Sequence, residues 1–155
     1  MIRKAKKEDV NAIMKLLSQV GALHHEGRPD IFKGGSTKYT KEELQKIIEN
    51  EEMIIFVFED EKDNISAHAF CQLAEHKNDS LLTDIRTLYV DDICVDENER
   101  GRHIGKAMYE HIVKYAKEIG CYNVTLNVWE CNEKAKKFYE AMGMKVQKTG
   151  METIL

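Results

Sequence analysis

The sequence VDENERGRHIGKA, residues 95–107, joins a predicted strand to a predicted helix within a few residues. The joint contains two glycines and three basic side chains: Gly101, Gly105, Arg100, Arg102 and Lys106. At the start of a helix the backbone N–H groups lack partners and the helix dipole favours negative charge. This stretch therefore predicts a site for a phosphate or pyrophosphate group. A solvated turn with surface arginines is the alternative reading of the turn taken alone.

Two well-known phosphate fingerprints do not match this turn. A P-loop requires four residues between its glycines and a Ser or Thr after its Lys. Here only three residues lie between Gly101 and Gly105, and Ala107 follows Lys106. A Rossmann fingerprint places Gly-x-Gly-x-x-Gly near the first strand, and none occurs here. An anion site at this turn would therefore belong to a different sequence pattern.

Periodicity extends the prediction outward from the turn. Residues 88–95, 104–119 and 123–129 form a strand–helix–strand unit, whose strands should be parallel with a right-handed crossover. The remaining predicted elements are strands at 2–5, 53–58, 65–73 and about 82–95, helices at about 7–23 and 132–142, a helix from Thr40 to Asn50, and two short strands after Gly143. The order is β-α-α-β-β-β-α-β-α-β-β. It predicts an α/β (α+β) fold with a mixed, mostly antiparallel sheet of about six to seven strands and helices on both faces.

Length and composition limit the class of protein. The 155 residues predict a single domain, 1–155. The longest apolar run, residues 53–58, is too short to cross a membrane, and no apolar segment follows the basic N-terminus, so we expect a cytoplasmic protein. A net charge of -4 with interspersed basic residues argues against nucleic acid as a partner. The four cysteines lack a zinc spacing, so no metal is expected.

Two motifs carry a resemblance to a known family. Residues 100–105 match the acyl-CoA signature Arg/Gln-x-x-Gly-x-Gly/Ala at its first and last fixed positions, with His103 in place of the middle glycine. About thirty residues later, the motif Asn-x-x-Ala-x-x-Phe-Tyr-x-x-x-Gly is intact as Asn132, Ala135, Phe138, Tyr139 and Gly143. The sequence resembles the GCN5-related N-acetyltransferases, the GNAT superfamily, over nearly its full length.

The resemblance implies acetyl-CoA as donor and direct attack of a primary amine within a ternary complex. It implies that the backbone of Ile93, Cys94 and Val95 binds pantetheine and supplies the oxyanion donor. The residues it implies around the pyrophosphate are Arg100, Gly101, Arg102, His103, Ile104, Gly105 and Lys106, and those along the pantetheine arm are Asn132, Lys134, Ala135 and Tyr139. Tyr139 is the family's usual general acid. A helix N-cap for Asn132 and a core aromatic for Tyr139 are the alternatives. At His103 a side chain narrows backbone access, and one hypothesis is that it makes cofactor affinity depend on pH.

Asp91 and Asp92 interrupt an otherwise apolar strand. Burial of a carboxylate is costly without a partner, which makes both residues candidates for a functional role. In a regular strand they point to opposite faces, so only one would reach the acetyl group. Polyamine acetyltransferases of the family carry an acidic pair at the matching positions, so the resemblance implies a base or an amine-orienting group. A structural carboxylate bonded to loop N–H groups is the alternative.

The acceptor is the least determined part of the prediction. The loop 24–32 lies where the family builds its acceptor pocket, and the substrate-binding candidates are His24, Glu26, Asp30 and Glu75. A small cationic, polyamine-like amine and a protein or peptide amine both stay open as acceptor. A non-catalytic acyl-CoA-binding sensor or regulatory module is the alternative function. Dimers are common in the superfamily, so a homodimer is the assembly that the resemblance suggests.

Overall fold

A five-stranded sheet forms the centre of the molecule in a computed structural model that describes all 155 residues. Its strands are β1 (Ile2–Lys4), β2 (Ile54–Glu59), β3 (Ile65–Glu75), β4 (Arg86–Val95) and β5 (Asn123–Leu126), in that spatial order. The first four strands pair antiparallel, and β5 pairs parallel to β4. The predicted mixed, mostly antiparallel sheet and its parallel strand–helix–strand unit are confirmed.

Four helices accompany the sheet: α1 (Val10–Gly27), α2 (Lys41–Glu49), α3 (Ile104–Glu118) and α4 (Glu133–Ala141). Thr40 caps α2 as its sequence predicts: its hydroxyl accepts from the Glu43 N–H at 3.2 Å, and the Glu43 carboxylate accepts from the Thr40 N–H at 2.8 Å. Gly120, with φ +75°, follows the end of α3 in the left-handed conformation. None of the helices combines the length and apolar character that a membrane span requires.

Each face of the sheet has its own core, as period-two strands require. On one face, α3 packs over Phe56, Ala67, Ala69, Cys71, Leu88 and Val90 with its residues Ile104, Met108, Ile112 and Ala116. On the other face, α1 and α2 pack over Ile55, Val57 and Phe70 with Val10, Ile13, Leu17, Leu44 and Ile47. The predicted placement of helices on both faces is confirmed.

The strand count is lower than predicted. No regular structure follows α4, so the two predicted C-terminal strands are absent and the sheet has five strands. Residues 145–155 are exposed throughout, and without an apolar face to bury they gain nothing that offsets the entropy cost of ordering a strand. The fourth predicted strand, expected from about residue 82, also begins later, at Arg86.

Candidate active site

Strands β4 and β5, the last two strands of the sheet, separate about halfway along β4. Their last paired residues are Val90 and Leu126, yet β4 continues to Val95 while paired only with β3. The backbone of Ile93, Cys94 and Val95 therefore lies on a stretch of strand without a neighbour on the β5 side. Unpaired strand N–H and C=O groups can bind an extended ligand.

A β-bulge at Asp91 controls the acidic pair. Phe70 lies opposite Asp92 and Cys71 opposite Val90, so Asp91 has no partner on β3. Such an extra residue shifts the alternation of the strand by one position. The prediction that the two carboxylates point to opposite faces is therefore wrong.

Both carboxylates bind side chains on the α1/α2 side of the sheet. Asp92 Oδ2 lies 2.7 Å from His68 Nε2, and Asp91 forms an ion pair with Lys38. The Lys38 ammonium lies 5.7 Å from the centre of the Tyr39 ring, which stacks on Phe70 of the same face. The two acids thus bind side chains and not loop N–H groups.

Tyr139 lies within electrostatic range of Asp92. Burial raises the pKa of the Tyr139 phenol, and the charges of Asp92 and Tyr109 raise it further. The Tyr139 ring lies 6.3 Å from that of Tyr109 on α3, between centroids. A phenol with a raised pKa stays protonated at neutral pH, which a proton donor requires.

A cleft of about 300 Å³ opens at the N-terminus of α3. Its lining consists of Val95, Glu99, Arg100, Gly101, His103, Ile104, Gly105, Lys106 and Phe138. Backbone N–H groups at a helix start, with cationic side chains beside them, suit a phosphate or pyrophosphate. Arg102 lies outside this lining and pairs with Glu99.

The backbone of this turn explains why the acyl-CoA signature carries glycines. Gly101 has φ +82° and His103 has φ +60°, both in the left-handed region. His103 is the residue immediately before α3 and makes no capping hydrogen bond with its side chain. At Gly105, a Cβ would lie 3.6 Å from the Phe138 ring and 3.7 Å from Val95, so α4 packs closely on the start of α3 here.

Helix α4 carries the second motif. The Asn132 side chain accepts from the Ala135 N–H at 3.2 Å and so serves as the N-cap of this helix. Tyr139 lies two turns further along, about 10 Å away. Lys134 is exposed, and Ala135 is half-buried.

The residues predicted to bind the acceptor are not all brought together. His24 stacks on Phe32 with the ring centroids 4.8 Å apart, and Phe32 meets the edge of Trp129 at 5.3 Å. Asp30 is held by the Arg28 guanidinium at 2.8 Å, whereas Glu26 is exposed and unpaired.

Glu75 lies apart from all other predicted site residues. It is at the far end of β3, where it pairs with Arg86 at 2.6 Å and Lys77 at 3.1 Å. Five residues of strand separate it from Phe70, the partner of Asp92, which is about 16 Å. Glu75 therefore does not share a cleft with Asp92.

His68 is a polar residue of this region that the motif analysis missed. It is fully buried in the middle of β3 and contacts Asp92. The sequence signal that could have identified His68 is its position inside an apolar, alternating strand, because a buried histidine needs a polar partner. The structure brings no three His, Cys, Asp or Glu side chains together in a way that could hold a metal ion.

Comparison with known proteins identifies the family. The sequence profile of the Acetyltransferase (GNAT) family matches residues 20–144. The chain therefore belongs to the GNAT acetyltransferase family. It is also similar to a mutant form of the BH1408 protein from Bacillus halodurans, with 32% identity, a TM-score of 0.94 and coverage of 100% of this chain and 99% of that one.

More distant similarity reaches enzymes of this family. The crystal structure of glucosamine-6-phosphate N-acetyltransferase from Arabidopsis thaliana shares the fold, with a TM-score of 0.73, 24% identity and coverage of 99% and 97% of the two chains. In sequence, an Arabidopsis thaliana glucosamine 6-phosphate N-acetyltransferase is 38% identical over 56 residues, which is 36% of either chain. The match thus spans about a third of the length of this curated relative.

Proposed function

We propose that this protein transfers an acetyl group from acetyl-CoA to a primary amine of a small molecule, within a ternary complex. The observation that carries the proposal is the unpaired edge of β4 at Ile93, Cys94 and Val95, which leads into the α3 cleft that Val95 lines. A carboxylate, Asp92, lies on the same strand, and the charge of Asp92 acts on the protonated phenol of Tyr139. A general base and a general acid suit acyl transfer to an amine.

The donor acetyl-CoA would bind along the opening and the α3 cleft. Its pyrophosphate would lie against the N-terminus of α3, between Arg100 and Lys106, where the turn has an open backbone. Its pantetheine arm would pair with the free edge of Ile93, Cys94 and Val95. Asn132, Lys134 and Ala135 at the start of α4 would contact the same arm.

Asp92 is the base in this proposal and Tyr139 the acid. Asp91 is ion-paired with Lys38, whereas Asp92 has one oxygen, Oδ1, without a hydrogen bond. Asp92 takes a proton from the acceptor ammonium, the amine nitrogen bonds to the thioester carbon, and the C–S bond breaks. Tyr139 then gives its proton to the departing thiolate, and the second proton of the acylated nitrogen passes to the Tyr139 phenolate, which yields the neutral amide.

Direct attack is favoured over a covalent enzyme intermediate. Burial raises the pKa of the Cys94 thiol to about 12, with a further contribution from Asp92. A thiol is a good nucleophile only as thiolate, and Cys94 holds very little at neutral pH. The site therefore supports attack by the acceptor amine itself.

The acceptor proposed is a small-molecule amine. The relatives with matching segments are glucosamine 6-phosphate N-acetyltransferases by name. Two carboxylates beside the opening, Asp91 and Asp92, suit an ammonium group. Amino sugars and polyamines are therefore the first acceptors to test, with peptides as the comparison.

The test is thiol release from acetyl-CoA over a panel of amino sugars, polyamines, aminoglycosides and short peptides. Tyr139→Phe should lower amine-dependent release by about 10²-fold or more with donor affinity retained. Tyr122→Phe is the matched control, because Tyr122 is 75% exposed and its hydroxyl makes no hydrogen bond within the protein. Binding of acetyl-CoA without release on any amine would favour a non-catalytic sensor, and no binding would overturn the proposal.

A further inference from the structure

His68 makes one polar contact only. Its side chain is fully buried, its Nε2 lies 2.7 Å from Asp92 Oδ2, and its Nδ1 has no partner. Phe70 meets the ring edge-on at 5.0 Å, and the strand neighbours on either side are Val57 and Cys94. An imidazole has thus been placed in an apolar core with a single hydrogen bond, directed at the proposed base.

The direction of that hydrogen bond follows from its acceptor. An ionised carboxylate can only accept hydrogen bonds. The imidazole proton therefore lies on Nε2, whose N–H donates a hydrogen bond to Oδ2, and Nδ1 keeps its lone pair. A buried polar group is costly unless it is paired. The contact with Asp92 is the one feature of the surroundings that offsets this cost.

We propose that His68 is a positioning residue for Asp92, an inference that rests on the proposed function. The Nε2–H holds Oδ2 in place, which leaves Oδ1 free for the acceptor ammonium. A fixed orientation of the accepting oxygen toward the substrate is what a general base requires.

The other charged and titratable groups around Asp92 do not replace His68. Lys38 and Tyr39, which precede α2, influence Asp92 through space, but the Lys38 ammonium is bound to Asp91. Cys94 on β4 and Tyr139 on α4 are neutral acids with raised pKa values. His68 is therefore the only side chain that donates a hydrogen bond to Asp92.

The test compares three variants by kcat and KM, measured separately. His68→Phe keeps an aromatic ring and removes the donor, and His68→Gln keeps an N–H donor at a similar reach. Val57→Ala removes buried volume next to His68 on the same face. The reference is the loss of kcat in Asp92→Asn.

In His68→Phe, kcat should fall by about 10-fold or more while KM for acetyl-CoA stays within about 2-fold, because Asp92 loses the hydrogen bond that orients it. His68→Gln should restore most of kcat. In an Asp92→Asn background the His68→Phe change should add less than about 3-fold. Val57→Ala should lower stability and leave kcat within about 2-fold of wild type.

Three results would overturn the inference while leaving the proposed function intact: an unchanged kcat in a folded His68→Phe enzyme, the same loss of kcat in Val57→Ala, or full additivity with Asp92→Asn. If wild-type protein releases no thiol with any amine, the proposed function fails first. Circular dichroism and thermal unfolding of each variant separate these results from misfolding.

Discussion

Replacement of His103 by glycine should stabilise the protein, which is unusual for a residue in a binding motif. His103 has φ +60° and ψ 13° and is exposed, and its side chain makes no hydrogen bond. The left-handed conformation costs an L-residue about 1–2 kcal/mol, and histidine lies at the lower end because it is enriched there. Glycine avoids this cost but adds about 0.5–1 kcal/mol of entropy to the unfolded chain.

The difference between these two contributions sets the expected size of the effect. We expect His103→Gly to raise the free energy of unfolding by about 0–0.5 kcal/mol and Tm by at most about 2 °C. Urea unfolding followed by circular dichroism measures the first quantity, and a thermal scan measures the second. Asp63→Gly is the matched control, because Asp63 has φ +61° in the exposed turn between β2 and β3 and does not line the cleft.

The same pair of variants tests the effect of His103 on the anion site. His103 lines the cleft at the start of α3, where its side chain narrows access to the backbone N–H groups. Coenzyme A affinity by calorimetry should therefore be tighter for His103→Gly than for wild type and for Asp63→Gly. Destabilisation by His103→Gly of more than about 0.5 kcal/mol would refute the strain argument, since the expected sign is the opposite. Weaker coenzyme A binding by this variant would refute the steric one.

Two further predictions concern stability. Thr40→Ala removes the hydroxyl of the capping box of α2 and should lower the free energy of unfolding by about 1 kcal/mol, whereas Thr40→Ser should not; equal losses in urea unfolding would contradict the capping role. Burial by itself raises the pKa of Asp9, but hydrogen bonds from Arg3 and the Lys6 N–H outweigh it and hold the pKa below its usual range. Because the folded-state pKa is depressed, this stabilisation is present above the unfolded pKa and is lost as pH falls through the folded one. Asp9→Asn should therefore cost about 1–3 kcal/mol at pH 7, and the cost should shrink as pH falls below the pKa of the unfolded carboxyl. A cost that does not change with pH would count against the ion pair.

The α3 turn and its neighbours were accessible from the sequence because their signals are local. Thr40 and Glu43, three residues apart, predicted a cap that the structure contains. Apolar residues at helical spacing predicted α3, and Gly120 marked its end. The two C-terminal strands were predicted wrongly because short alternating patterns do not reveal whether a strand has apolar surface to bury.

The acidic pair shows the limit of the same reasoning. Alternation along β4 predicted one carboxylate on each face, but a bulge is set by how two strands pair and leaves no reliable mark in a single strand. His68 went unnoticed for a related reason. Its significance depends on Asp92, twenty-four residues away, which only the pairing of β3 with β4 brings within 2.7 Å.

Residue spacing by itself determined the mixed fold, the anion-binding turn and the motif of α4, because helix periods, caps and glycine turns depend on neighbours a few residues apart. Tertiary structure decided which groups meet: the parting of β4 from β5, the common face of Asp91 and Asp92, and the separation of Glu75 from both. Those contacts join residues that are distant in the chain, and their geometry depends on sheet register, which no local pattern encodes.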